Sequence, residues 1–281
     1  MSDRALAFWR LLDEVEDYLC YGERTEHVVP DAVRLAGDEG DSRVSAEASG
    51  SGTSAAAGTV HRAGPGVPPA AVDERPEASG ADWDSSSDPD AIRRRRLAML
   101  EERVRACTRC PLHEGRMNAV PGAGVLDPLV MVIGEGPGAD EDRRGVPFVG
   151  RAGQYLDKWL EAVGLDRQTN AYITNIVKCR PPENRDPRPT ESDACLPYLR
   201  DQIELIRPRM ILSVGRIASG ILIGTNAGIG SLRGRTFYYN GIPLIPTYHP
   251  SGVLRNPEYK RPVWEDLKRL RALLDQDADA D

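Results

Sequence analysis

Three short apolar runs constrain this chain most: "LVMVIG" at residues 129–134, "AYITNIVKC" at 171–179 and "RMILSVG" at 209–215. Each is too short for a helix, and none alternates polar with apolar residues, which is the habit of strands buried on both faces of a parallel sheet. Helical periodicity follows each one. "AGQYLDKWLEAVGL" stops at Gly164, "TESDACLPYLRDQIELIRP" opens on Thr190 as its N-cap, and "RIASGILIG" is a short third helix. "TFYYNGIPLIPTYHPS" reads as two strands about an Asn240-Gly241 turn, and "PEYKRPVWEDLKRLRALL" as a closing helix. Ahead of them, "DAIRRRRLAMLEERVRAC" is a helix capped by Asp90, its Arg93 to Arg96 run reading as a solvated face. Strands alternating with helices predict an α/β fold, a three-layer α/β/α sandwich around a mainly parallel four-stranded sheet. Such sheets bind ligands at the carboxyl ends of their strands. That rule selects the loops "GEGPGADEDRRGVPFVG", "NIVKCRPPENR" and "TYHPSGVLRNP".

The alternation occupies only part of the 281 residues. Residues 4–21 repeat Leu6, Trp9, Leu12, Val15, Tyr18 and Leu19 at helical spacing, giving an amphipathic helix that must dock on the body or on a protein partner. From about Gly37 to Asp90 large apolar side chains nearly vanish, and such a segment cannot offset its ordering entropy. The expected organisation is a helical segment at 1–36, a disordered acidic linker at 37–90, a body at 91–274 and an acidic tail at 275–281. The net charge of −7 hides a contrast: residues 1–90 hold 7 Arg against 19 Asp and Glu, whereas 91–274 hold 29 basic and 20 acidic residues. A body at +9 is compatible with a polyanionic partner. No run of 18 apolar residues exists, and the first residues are too acidic for a signal peptide, so a cytoplasmic protein without a membrane span is expected. Disulfides are not expected there.

Five cysteines then need another explanation. Cys107 and Cys110 form a C-x-x-C pair, Cys179 follows the second strand, and Cys195 lies in the helix after it. Four such thiols suggest a metal or cluster site. Tetrahedral zinc and a [4Fe-4S] cubane both take four thiolates, so spacing does not choose between them. Cys20, in the separate helix, reads as a plain apolar residue.

"CTRCPLHEGR", "GEGPGADEDRRGVPFVGRAG", "ITNIVKCRPPENR" and "HPSGVLRNP" together resemble the family 4 (type a) uracil-DNA glycosylases. The resemblance extends over about residues 97–272 and leaves out the first 90. It implies a hydrolase that flips uracil out of double- or single-stranded DNA, releases the free base and leaves an abasic site; a monofunctional one is expected because no lysine but Lys178, beside a proposed cluster ligand, stands in the three cleft loops to form a Schiff base. It also implies a [4Fe-4S] cluster on Cys107, Cys110, Cys179 and Cys195, and a monomer. By the same resemblance His249 bonds uracil O2 at the transition state and Asn175 reads the O4 and N3–H edge. Phe148 stacks on the flipped base, and Glu141 crowds C5 to exclude the methyl of thymine. Glu135, Gly136 and Pro137 line the uracil pocket, while Ser251, Leu254 and Arg255 belong to a loop that enters the DNA minor groove. Other glycosylase branches carry Asp beside this glycine motif, whereas this chain has Gly136 after Glu135, so Glu135 and Asn184 are both candidates to orient the attacking water. "PPENRDPRPTES" is short and has no histidine, which predicts turnover rather than covalent capture of the product.

Two other classes are weighed beside this one. A weakly catalytic damage sensor or polymerase-associated adaptor would make the N-terminal helix the functional part. A zinc-stabilised hydrolase of free nucleotides would leave the basic body unexplained.

Overall fold

The computed structural model describes residues 88–278. The expected helix at 4–21, most of the linker and the last three residues lie outside the described residues. In chain order the elements are α1 (Pro89–Arg105), α2 (Leu112–Gly115), β1 (Ala123–Gly124), β2 (Val130–Gly134), α3 (Ala139–Arg144), α4 (Arg151–Ala162) and β3 (Ala171–Asn175). They continue with α5 (Pro189–Ile206), β4 (Met210–Val214), α6 (Arg216–Ile223), α7 (Ile229–Leu232), β5 (Phe237–Tyr239), β6 (Ile242–Thr247), α8 (Pro250–Arg255) and α9 (Lys260–Ala278). Single turns of 3-10 helix occur at Pro182–Asn184 and Pro257–Tyr259.

The sheet has six strands in the order β1-β3-β2-β4-β6-β5. Its middle is the expected parallel four, β3, β2, β4 and β6. A short antiparallel strand extends each edge. Of these, β5 comes from the Asn240-Gly241 hairpin, whose two turn residues have φ of 49° and 83°, as a type I′ turn requires. The other, β1, is only two residues long and carries no apolar pattern.

Alternation along the strands sends neighbouring side chains to opposite layers. Met131, Ile133, Ile211 and Leu244 pack beneath Leu100 and Val104 of α1 and Leu199 and Ile203 of α5. Val130, Val132, Leu212 and Ile245 pack against Leu156 and Trp159 of α4 and Val263 and Leu267 of α9. The register pairs Gly134 with Asn175 and Val214 with Thr247, so all four parallel strands end on one side of the sheet.

Four local expectations change. Asp88, not Asp90, caps α1, its carboxylate accepting from the Asp90 N–H at 3.0 Å, because Pro89 takes the first helical position. Arg93 leaves the solvated Arg face: it is buried, donates to both carboxylate oxygens of Asp127 (2.7 and 2.9 Å) and reaches the Leu205 carbonyl at 2.8 Å. It thereby satisfies a carbonyl at the end of α5 that no helical N–H can reach. Thr190 is exposed within the first turn of α5, and Glu191 closes that end by accepting from the Arg188 N–H at 2.7 Å. Finally α9 runs on to Ala278, into the acidic tail.

Candidate active site

The loops after β2, β3 and β6, joined by the start of α6, enclose a cleft of about 410 Å³. Close backbone approach sets its width. A Cβ on Gly136 would lie 2.7 Å from Val177 Cγ2, so the loop after β2 meets the loop after β3 only because that position is glycine. Pro137 beside it is buried, and both residues line the cleft.

Asn175 and Phe148 form one wall. Each reaches over the end of β2, where a Cβ on Gly134 would lie 2.4 Å from Asn175 Oδ1 and 2.6 Å from Phe148 Cζ. Phe148 has φ of +52°, a conformation that costs a side-chain-bearing residue about 1 kcal/mol or more. Its surroundings impose it. Arg167 donates to the Phe148 and Pro147 carbonyls at 2.9 and 3.1 Å, and Glu141 accepts from the Val149 and Gly150 N–H groups, both at 2.9 Å. The other Glu141 oxygen accepts from the Gly138 N–H at 3.1 Å, so this single carboxylate ties both ends of the Phe148 loop together. Asn175 is almost wholly buried, yet its Oδ1 has no hydrogen-bond partner. An acceptor left so costs about 1–3 kcal/mol, a cost that a ligand N–H would relieve.

His249 faces this wall, its ring centroid 5.7 Å from that of Phe148. It caps α8, and its Nδ1 accepts from the Ser251 N–H at 3.1 Å, with Ser251 Oγ 2.8 Å away. A backbone N–H can only donate, so Nδ1 carries no proton and the neutral ring bears its hydrogen on Nε2. Burial, and then the charge of Arg255, lower the His249 pKa to about 4. The imidazole is therefore neutral at physiological pH and acts as an N–H donor.

Glu135 lies in the cleft wall. Burial and the neighbouring Asp186 push its pKa up to about 7 against the opposing pull of Arg216. Asn184 stands on the exposed rim with φ of +55°, and its Oδ1 accepts from Arg180 Nε at 2.8 Å. In α8, Leu254 is half-buried against the core and Arg255 is exposed. All the residues singled out from the sequence thus border the cleft except Leu254, which lies on the α8 that forms its edge, and the cysteines, which gather elsewhere.

Cys107, Cys110, Cys179 and Cys195 line a second, small cavity between α1, the loop after β3 and α5. None is in a disulfide. Three sulfurs receive N–H groups: Cys179 from Arg116 at 2.9 Å, Cys195 from the Lys178 backbone at 3.3 Å and Cys107 from the Arg109 backbone at 3.5 Å. Donors of this kind suit thiolate ligands, whose charge they share. Among the described residues no group of three or more His, Cys, Asp or Glu side chains is placed so that it could hold a metal ion.

Sequence reasoning missed the support between the two cavities. Lys178 is fully buried, and its Nζ donates to Thr174 Oγ1 (2.6 Å), the Asn175 carbonyl (2.7 Å) and Gln202 Oε1 (2.7 Å). Thr174 Oγ1 and Gln202 Nε2 both donate on to the Pro121 carbonyl at 2.8 Å. This lysine therefore braces the backbone of Asn175 from below while its own N–H meets a thiol. The partners are 3, 4 and 24 residues away, and nothing in a one-dimensional pattern joins them.

A parallel sheet whose strand ends frame a narrow cleft, with an aromatic wall, a buried free acceptor and a neutral imidazole donor, has the shape and chemistry to receive a planar heterocyclic base. The family model described as "Uracil DNA glycosylase superfamily" matches residues 121–268, and the chain belongs to that superfamily. It is 43% identical over 182 residues to the type-4 uracil-DNA glycosylase of Thermotoga maritima, covering 63% of this chain and 94% of that protein. With the type-4 uracil-DNA glycosylase of Pyrobaculum aerophilum it shares 44% over 181 residues, covering 61% of this chain and 91% of that protein. The type-5 enzyme of the same organism is 35% identical over 150 residues, which are 47% of this chain and 65% of that protein. No helix among the described residues is long and apolar enough to cross a membrane.

Proposed function

We propose that this protein excises uracil from DNA by hydrolysing the N-glycosidic bond, releasing the base and leaving an abasic site for repair. The observation that carries the reading is the buried, unpartnered Oδ1 of Asn175 across the cleft from the neutral His249. Uracil offers an N–H at position 3, whereas cytosine offers a lone pair there, so a free acceptor selects the first and rejects the second.

In this reading the nucleotide leaves the stack and its base slides over Phe148, between Asn175 and His249. Glu141, which lines the cleft, would crowd C5 and so exclude the methyl group of thymine. As the glycosidic bond breaks, the sugar becomes oxocarbenium-like and the base takes negative charge, which His249 Nε2–H meets at O2. Gly136 and Pro137 close the pocket, and the ionised carboxylate of Glu135 orients the water that attacks the sugar. Glu135 suits this better than Asn184, whose amide oxygen is already held by Arg180. The Lys178 amine is buried and makes three hydrogen bonds, so it is not free to form a Schiff base with the sugar, consistent with a monofunctional enzyme. Ser251 fixes the His249 tautomer, while Leu254 and Arg255 enter the minor groove.

Although no three of them are placed to hold a single metal ion, the four cysteines line one cavity with N–H donors on three of the sulfurs and would hold a [4Fe-4S] cluster. When bound it supplies a covalent tie between the segment after α1, the loop after β3 and α5, and takes no part in base removal. The described body would act as a monomer on double- or single-stranded substrate, with residues 1–36 serving to recruit a protein partner. The test is a duplex bearing one labelled uracil, treated with alkali after incubation with anaerobically purified protein. Strand breakage at the uracil supports the proposal. An intact strand with folded, iron-loaded protein overturns it.

A further inference from the structure

The chain leaves the sheet after Thr247 and reaches α9 just after Tyr259, so between Tyr248 and Tyr259 residues 249–258 form a ten-residue excursion carrying His249, Ser251, Leu254 and Arg255. The two tyrosine rings stack at its base, their centroids 4.1 Å apart and their planes 2° from parallel. Both are half-buried against the core cluster that also receives Leu254. A second tie lies one residue further in. Thr247 Oγ1 donates to the wholly buried Asp266 of α9 at 2.8 Å, and Asp266 in turn accepts from Arg233 Nε at 2.9 Å and from the Gly234 N–H at 3.0 Å. On the returning side, the Tyr259 N–H closes the 3-10 turn on the Asn256 carbonyl at 3.0 Å.

We propose that the Tyr248–Tyr259 stack is a clasp that positions the excursion for base flipping, and that these are positioning residues for uracil in duplex DNA. This rests on the reading of residues 251–255 as the part that enters the minor groove. A wedge that opens a base step must resist the force it applies, and a ten-residue loop with untied ends would yield instead. Stacked rings at the neck hold the two ends together, leaving α8 to move as one piece. The bonds between His249 and Ser251 lie within that piece and survive its displacement, so the clasp bears on flipping more than on bond cleavage. The substrate that feels it most is uracil paired in a duplex, since an unpaired nucleotide needs no wedge.

The test compares kcat/KM for uracil in a duplex and in the same sequence as a single strand, using the full chain and its Leu254→Ala, Tyr259→Ala and Tyr259→Phe variants. Tyr259→Ala is expected to lose ~2- to 10-fold more on the duplex than on the single strand, the size expected for one aromatic pair. Tyr259→Phe, which keeps the stack, restores the ratio. Leu254→Ala shows the same duplex-selective loss through the wedge itself. Equal losses on both substrates for Tyr259→Ala mark a merely structural residue and overturn the clasp. A duplex-selective loss in Leu254→Ala with none in Tyr259→Ala overturns the clasp and leaves the minor-groove reading standing. No selective loss in Leu254→Ala removes the minor-groove reading and the clasp with it. If Tyr259→Ala does not fold, Tyr259→Leu keeps the apolar volume without the ring and is read by the same ratios.

Discussion

At the scale of single residues, the cleft depends on two groups held in unusual protonation states. His249, its pKa lowered to about 4, stays neutral throughout the physiological range, while Glu135, raised to about 7, gains its charge within it. If the Glu135 carboxylate orients the water, the single-turnover rate should rise as pH passes upward through about 7 and then level off, with no fall from His249 above pH 4. Glu135→Gln should flatten that rise, and a profile that keeps its limb at about 7 would assign it to another group. His249→Ala should slow excision by ~10²–10³ while DNA binding in a mobility-shift assay is retained. The topology places Asn175 at the end of β3 and His249 in the loop after β6, but their roles were legible only through the family resemblance of the motifs around them. The tautomer of His249 was not, since it depends on a hydrogen bond from Ser251 that only the fold of α8 creates. Nor was the free Oδ1 of Asn175, which is a statement about every neighbour at once.

Between elements, the site is set by how closely helices and loops approach. A Cβ on Gly153 of α4 would lie 2.0 Å from the carbonyl carbon and oxygen of Phe148, so this helix and the stacking loop are in backbone contact. Gly153→Ala should therefore push Phe148 out of place, costing ~1–3 kcal/mol in chemical denaturation and lowering uracil excision together. Unchanged activity would mean that the Phe148 loop adapts freely. On the other side of the sheet, Arg93→Met should lower stability by ~1–3 kcal/mol through loss of the Asp127 pair and the bonds to the end of α5, without altering the rate of the folded enzyme. Five of the six strands and most helices were readable from apolar period and glycine stops, and β1 was not, because two residues carry no pattern. Arg93 was misread because three of the four arginines in its run are indeed solvated, and only the helix phase against α5 distinguishes the fourth. The Thr190 cap failed for a similar reason: a carboxylate one residue further on, Glu191, outcompetes the hydroxyl.

For the molecule as a whole, the charge contrast between the acidic first 90 residues and the basic body is the main long-range feature. Removing residues 1–87 should leave excision by the body intact in a purified assay, because every residue of the proposed site lies within 107–255. A truncated protein that folds but has lost activity would place part of the machinery in the N-terminal segment. That the body is a three-layer sandwich could be read directly from the order of strands and helices, and the cleft from the ends of its strands. The bracing of that cleft by Lys178, between Asn175 and the cysteine cavity, could not, because it is assembled from β3, α5 and the segment before β1. The most direct test of the account is the single-turnover rate of Asn175→Ala on a duplex with one uracil, measured beside its DNA affinity. The rate is expected to fall at least ~10²-fold with affinity nearly unchanged, since the missing acceptor bonds the base only after it has left the stack. A rate equal to that of the unaltered protein would contradict it, because the buried free oxygen would then have no part in reading the base.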